Sequence, residues 1–204
     1  ISEYSELRLS KLKRADRFTA ICFDKSGDLA QQAVRALSVL STLWPEMANV
    51  VKTFVSHVLW VESEGYWSGS YAEAHGLVFI SPKRDWTLAH YIESLVHEAS
   101  HLELMVQQAL DPLLINKDQL DVSPLREEPR PLDGILHASF VTRRTTHALS
   151  LFAEASDLGS EAERESARSL LNKFTQDFES TLVCLRRAAK FTPIGASLFH
   201  DLQH

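Results

Sequence analysis

The chain predicts an α+β fold, mainly helical, with a small antiparallel sheet. Three observations predict it. Apolar residues recur at three- and four-residue steps over long stretches, β-branched and aromatic residues concentrate between residues 49 and 81, and that window is flanked by helical stretches rather than alternating with them. With 204 residues, 45% hydrophobic and 24% charged, the chain can bury a core as one domain. Within it, residues 1–48 read as a helical N-terminal part, 49–110 as strands plus a long helix, and 111–204 as a loop and C-terminal helices.

The elements follow in order. Ser26-Gly27-Asp28 reads as a helix start, and the periodic stretch Leu29 to Leu43 ends at Trp44-Pro45. Asn49 to Glu62, with Val50, Val51, Phe54, Val55, Val58, Trp60 and Val61, reads as a strand. Beyond Glu64-Gly65, Tyr66 to Tyr71 and Gly76 to Ser81 read as two shorter strands. Thr87 to Leu110 repeats Leu88, Tyr91, Ile92, Leu95, Val96, Ala99, Leu102 and Val106 on one face, the pattern of a half-buried helix that Asp111-Pro112 closes. Asp111 to Pro131 carries four prolines and reads as a loop long enough to be functional. Two further helices follow, from Pro131 to about Leu158 and from Glu161 to about Lys190, separated by Gly159-Ser160. Thr192-Pro193 ends the second before a short tail.

Charge and composition narrow the function classes. The net charge is −6 and no basic cluster is longer than Lys11 to Arg14, so the footprint of a nucleic-acid binder is missing. The two cysteines, Cys22 and Cys184, are far apart and have no CxxC spacing, which argues for a reducing compartment and against a thiolate metal site. No apolar run has the length of a membrane span, and the charged opening Glu3 to Arg17 lacks the apolar core of a signal peptide. The expected location is the cytoplasm, with no membrane partner; a homodimer is compatible with all of this.

Within the Thr87 to Leu110 helix stands His97-Glu98-Ala99-Ser100-His101. Residues four apart lie one above the other on a helix, so His97 and His101 can aim ring nitrogens at one divalent cation. Glu98 falls beside that point, where a carboxylate can take a proton from a bound water without being a ligand. A catalytic metal needs a third protein ligand and open positions for substrate. His137 is the expected third ligand, because a returning antiparallel helix would bring it back to the His97 and His101 face. Glu127 and Glu128 compete for the role from the proline-rich loop, and His90, seven residues before His97, reads as an outer or surface residue.

The segment Leu95-Val96-His97-Glu98 with His101-Leu102, followed by Glu128-Pro129-Arg130-Pro131-Leu132-Asp133-Gly134-Ile135-Leu136-His137, resembles the HExxH-motif family of peptide-modification proteins, as does the Thr192 to Gly195 close. The resemblance covers most of residues 65–200. It implies a zincin-like core and an iron(II)- and 2-oxoglutarate-dependent dioxygenase that hydroxylates a β-carbon in a ribosomally synthesised precursor peptide, an activity of natural-product biosynthesis. On that reading His97, His101 and His137 hold Fe(II), with Glu98 or Glu128 still open as a ligand. Arg130, in the matching segment, and Arg144, seven residues after His137 on the same helical face, are candidates to pair with the far carboxylate of 2-oxoglutarate. Trp67 and Tyr71 are expected to wall the site, and Gly76 to Ile80, with Gly76 and Val78, to be a sheet edge that takes the peptide by strand addition. Two other readings of the same residues stand beside this one: a zinc metallopeptidase with Glu98 as general base, and a non-catalytic peptide-binding module.

Overall fold

The structure is a computed structural model that describes residues 19–20, 23–63, 67–122 and 128–203, with side chains from residue 27 on. In chain order its elements are β1 (Thr19–Ala20), α1 (Phe23–Leu43), α2 (Pro45–Phe54), β2 (His57–Glu62), β3 (Ser68–Ser70), β4 (Leu77–Ile80), α3 (Leu88–Leu110), β5 (Leu120–Asp121), β6 (Arg130–Pro131), α4 (Leu132–Glu154), α5 (Glu161–Ala188) and α6 (Pro193–Leu202). The α+β, mainly helical architecture is therefore present. No helix among the described residues is long and apolar enough to cross a membrane.

Two local expectations change. The strand expected over Asn49 to Glu62 is half helix: α2 runs to Phe54 and only His57–Glu62 is extended. Pro45 in the first turn and Glu46 beside it favour a helix start. Met47, Ala48 and Val51 then fall on one face and are buried, so packing overrides the β preference of the two valines. The expected short tail after Thr192 is helix α6, started by the Thr192 side chain accepting from Gly195 N, with Pro193 in its first turn.

The sheet has the order β1-β2-β4-β3 and is mixed rather than antiparallel. β1 and β3 run antiparallel to their neighbours, but β2 and β4 are parallel, in register from His57↔Leu77 to Trp60↔Ile80. The connection between β2 and β4 carries β3 and the 3-10 turn Ala72–Ala74, long enough for the crossover that a parallel pair requires. β4 is thus an interior strand, and all four of its residues are buried.

Helix α3 joins two apolar cores. Leu88, Ile92, Leu95, Val96, Ala99 and Leu102 pack with Val78 and Ile80 of the sheet and with α1 and α2. Leu104 belongs instead to a second cluster with Leu132, Leu136, Phe140, Leu185 and Phe199 from α4, α5 and α6. Residues 97–104 of α3 therefore lie at the seam between the cores, where α4 crosses.

A backbone lock closes the C-terminal part. Thr192 Oγ1 donates to Pro112 O at 2.7 Å, Thr192 N donates to Leu113 O at 3.0 Å, and a Cβ at Gly195 would collide with that same Leu113 carbonyl. Backbone cannot move aside as a flexible side chain can. Gly195→Ala is expected to lower stability by about 1–3 kcal/mol, in the range of overpacked core sites, read as a lower melting temperature in circular dichroism with an unchanged far-ultraviolet spectrum.

Candidate metal centre

The regular α3 helix places His97 and His101 on one face, their ring centroids 5.0 Å apart. Helix α4 returns beside α3 and lays His137 on His101: the rings are stacked at 5.4 Å and 20°, and their Nδ1 atoms stand 3.1 Å apart. All three rings keep an edge partly open, whereas Glu98, Ala99, Leu102 and Leu136 around them are buried. His101 is thus in ring contact with both His97 and His137.

The hydrogen-bond chain behind His137 sets its tautomer. Gln108 Nε2 donates to Asp133 Oδ1 at 2.5 Å, so Gln108 Oε1 faces His137 Nε2, 2.6 Å away, as acceptor. His137 then carries its proton on Nε2 and turns a lone pair on Nδ1 toward His101. Burial lowers the basicity of His101 well below the ordinary histidine value, reinforced by the charges of His97, His137 and Arg130. Burial also lowers His137, against the pull of Asp133 and with the help of Arg130. Both imidazoles are neutral at pH 7, the form a metal ligand requires.

His97 behaves oppositely. Burial alone would lower its pKa, but the contact with Glu93 and the charges of Glu93 and Glu98 outweigh it and hold it at about 8. Its Nδ1 lies 3.2 Å from Glu93 Oε1 as an ion-pair contact, and Glu93 is itself only 4% exposed. A carboxylate behind a histidine orients the ring and makes its other nitrogen the stronger donor, as in carboxylate–histidine–metal arrangements. Sequence reasoning missed Glu93 and Gln108, although both stand at helical spacing from the motif, four residues before His97 and seven after His101.

Glu98 is 2% exposed and accepts a hydrogen bond of 2.5 Å from Ser68 Oγ on β3. Burial raises its pKa, opposed by His97 and by the Ser68 and Ser70 hydroxyls. Among the described residues its second oxygen, Oε2, has no hydrogen-bond partner, and neither does the buried Ser70 hydroxyl.

The other expected site residues divide. The guanidinium of Arg130 rests on Gly134 in the first turn of α4, where a Cβ would stand 2.5 Å from Nη2, and its charge reaches both His101 and His137. That contact explains the Arg-Pro-Leu-x-Gly-x-x-His spacing: glycine leaves the room in which arginine lies over the turn that carries His137. Arg144 is ion-paired with Glu103, lies 4.3 Å over the Phe140 ring and borders a cavity of about 340 Å³ with Trp44, His147 and Leu198; none of the three histidines lines that cavity. Arg144 is therefore turned to a different partner. Gly76 and Val78 do not form a sheet edge, because β4 is hydrogen-bonded on both sides and Gly76 O accepts from Ser56 N and His57 N. Tyr71 packs edge-on against Phe79 in a small cluster with Val61 and Leu77, on the sheet face turned away from α3. Trp67, 41% exposed, lies near the N-terminal end of α3 beside Trp86 and His90. Glu128 is exposed, and Glu127 lies outside the described residues.

The donor set fits a divalent cation in its chemistry: two neutral imidazoles, and a third ring facing two buried carboxylates. The spacing of the His101 and His137 nitrogens fits as well, since two nitrogens bound to one ion at about 2.1 Å stand roughly 3.0–3.4 Å apart. Full convergence is not formed. Among the described residues, no three histidine, cysteine, aspartate or glutamate side chains are gathered about one point. No protein-family model matches the chain, and no curated protein sequence matches it significantly.

The tautomer chain gives a direct test. In long-range nitrogen-15 spectra of the metal-free protein, His137 is expected as the Nε2–H tautomer, and Gln108→Leu is expected to abolish that preference while leaving His90 unchanged.

Proposed function

We propose that this chain is a non-haem iron(II)- and 2-oxoglutarate-dependent oxygenase, on a zincin-like core, that hydroxylates a β-carbon of a residue in a ribosomally synthesised precursor peptide. The observation that carries the reading is His137: it lies against His101 with Nε2 held by Gln108 and a lone pair on Nδ1, next to the Arg130 cation. Three histidines and a neighbouring guanidinium suit an ion that shares its coordination sphere with a carboxylate cosubstrate.

In this reading His97, His101 and His137 hold the ion. Iron(II), when bound, would supply the activation of dioxygen, with electrons from the oxidative decarboxylation of 2-oxoglutarate. Arg130 pairs with the far carboxylate of the cosubstrate, a role for which a fixed guanidinium is better suited than lysine. Glu98 has a positioning role: through Ser68 it ties β3 to the metal helix.

The peptide is expected along β3 rather than β4. Trp67 O accepts from Ser81 N, and the β3–β4 register continues through Gly69↔Phe79, so by antiparallel alternation the main-chain groups of Ser68 and Ser70 point outward. β3 pairs with β4 alone among the described residues. Main-chain pairing there would lay a peptide beside Glu98 and His97.

The test is anaerobic loading with Fe(II), then exposure of the protein, 2-oxoglutarate, ascorbate and a neighbouring-gene precursor peptide to oxygen. Succinate and a peptide heavier by one oxygen, uncleaved, are expected. Peptide fragments formed with zinc alone would support the peptidase, and peptide binding without turnover under either metal would support a non-catalytic module. Arg130→Ala is expected to raise the KM for 2-oxoglutarate about 10- to 100-fold, matching a lost charged hydrogen bond of about 1.5–3 kcal/mol, while Arg144→Ala leaves that KM within about twofold.

A further inference from the structure

At the N-terminal end of α3, three aromatic rings make a corner. Trp86 and His90 are stacked at 5.5 Å and 15°, forming one wall, and Trp67 stands across from both at 6.3 Å, at 73° to Trp86 and 64° to His90. The His90 ring is fixed: its Nδ1 accepts from Thr87 N at 3.1 Å, the first turn of α3. Trp67 is fixed by its carbonyl bond to Ser81 N, yet 41% of it stays exposed. Trp67 packs edge-on against both rings, and the part of it that stays exposed leaves the corner open to a further ring.

The corner adjoins the outward edge of β3, since Trp67 directly precedes Ser68. It also lies along the metal helix: His90 and His97 are seven residues apart on one face, about 10 Å along the axis. An extended peptide rises about 3.3 Å per residue and alternates its side chains. A residue filling the corner therefore stands two or four positions from the residue beside His97.

We infer that Trp67, Trp86 and His90 form a side-chain subsite that takes an aromatic residue of the peptide, two or four positions from the modified one. A ring set into the corner lies parallel to one wall and perpendicular to the other, the two arrangements aromatic pairs favour at centroid distances of about 4.5–7 Å. A cationic side chain is disfavoured, because Lys173 Nζ already stands 5.2 Å over the Trp67 ring. The subsite rests on the reading of β3 as the strand that meets the peptide.

The test uses nitrogen-15 spectra of the metal-free protein, whose four tryptophans give four indole N–H signals, assigned with Trp67→Phe and Trp86→Phe. The probes are three acetylated, amidated tetrapeptides with threonine at the first and third positions, valine at the fourth, and phenylalanine, leucine or lysine at the second. The phenylalanine peptide is expected to shift the Trp67 and Trp86 signals saturably, at least fivefold more tightly than the other two, and to leave Trp44 and Trp60 unmoved. Trp67→Ala, folded by its remaining spectrum, is expected to remove that preference. Equal binding of the leucine peptide, a shift confined to Trp44, or no shift at all would overturn the inference. Because the titration needs neither metal nor turnover, its outcome is separate from that of the oxygenase reading.

Discussion

Burying Glu93 and Glu98 on the face of a helix otherwise built from leucine, valine and alanine is the constraint around which the centre of this molecule is organised. A buried carboxylate without a compensating charge is among the costliest features a core can hold. Here both carboxylates face His97, which answers by keeping its proton to about pH 8, while His101 and His137, one turn and one helix away, give theirs up. The site is thus divided electrically into an acidic side that wants a positive charge and a side of neutral nitrogens that can bind one. In the proposed reading a divalent cation would answer both sides, taking the place of the proton on His97 and using the lone pairs of the other two rings.

The arrangement survives at the seam of two cores because each polar group is tied to a different element. Glu98 is tied to β3 through Ser68, His137 to α3 through Gln108, Gln108 back to α4 through Asp133, and Arg130 to the first turn of α4 by the absence of a side chain at Gly134. Residues from the sheet, α3, and α4 with the strand before it therefore meet at one place. Displacing α4 along α3 would break the Gln108 and His101 contacts together, so register between these two helices and the geometry of the site are one property.

Helical periodicity made α3 legible in the sequence, and with it the pairing of His97 with His101; the approach of His137 followed from its place on the next long helix, expected to return antiparallel. Asn49 to Phe54 was not legible, because its valines have the same β preference whether or not an apolar surface waits to receive them, and that surface is supplied by α1 and α3. Strand order was hidden for a related reason: nothing local in Gly76 to Ile80 says that β3 will fold back to cover its edge. The partner of Arg144 was missed because an arginine seven residues from His137 shares its helical face but has an arm long enough to reach Glu103 instead. Glu93 and Gln108 could have been found, since each sits at a helical interval from the motif histidines and offers a carboxylate or amide that can hold an imidazole from behind.

The most direct measurement is a titration of the metal-free protein with Co(II), followed by its visible absorption bands, in the wild type and in His97→Ala, His101→Ala and His137→Ala. One equivalent bound with nitrogen-ligand bands, and loss of those bands in each of the three variants, is the result the account predicts. Uptake that persists unchanged without His137, or no stoichiometric uptake at all, would contradict it.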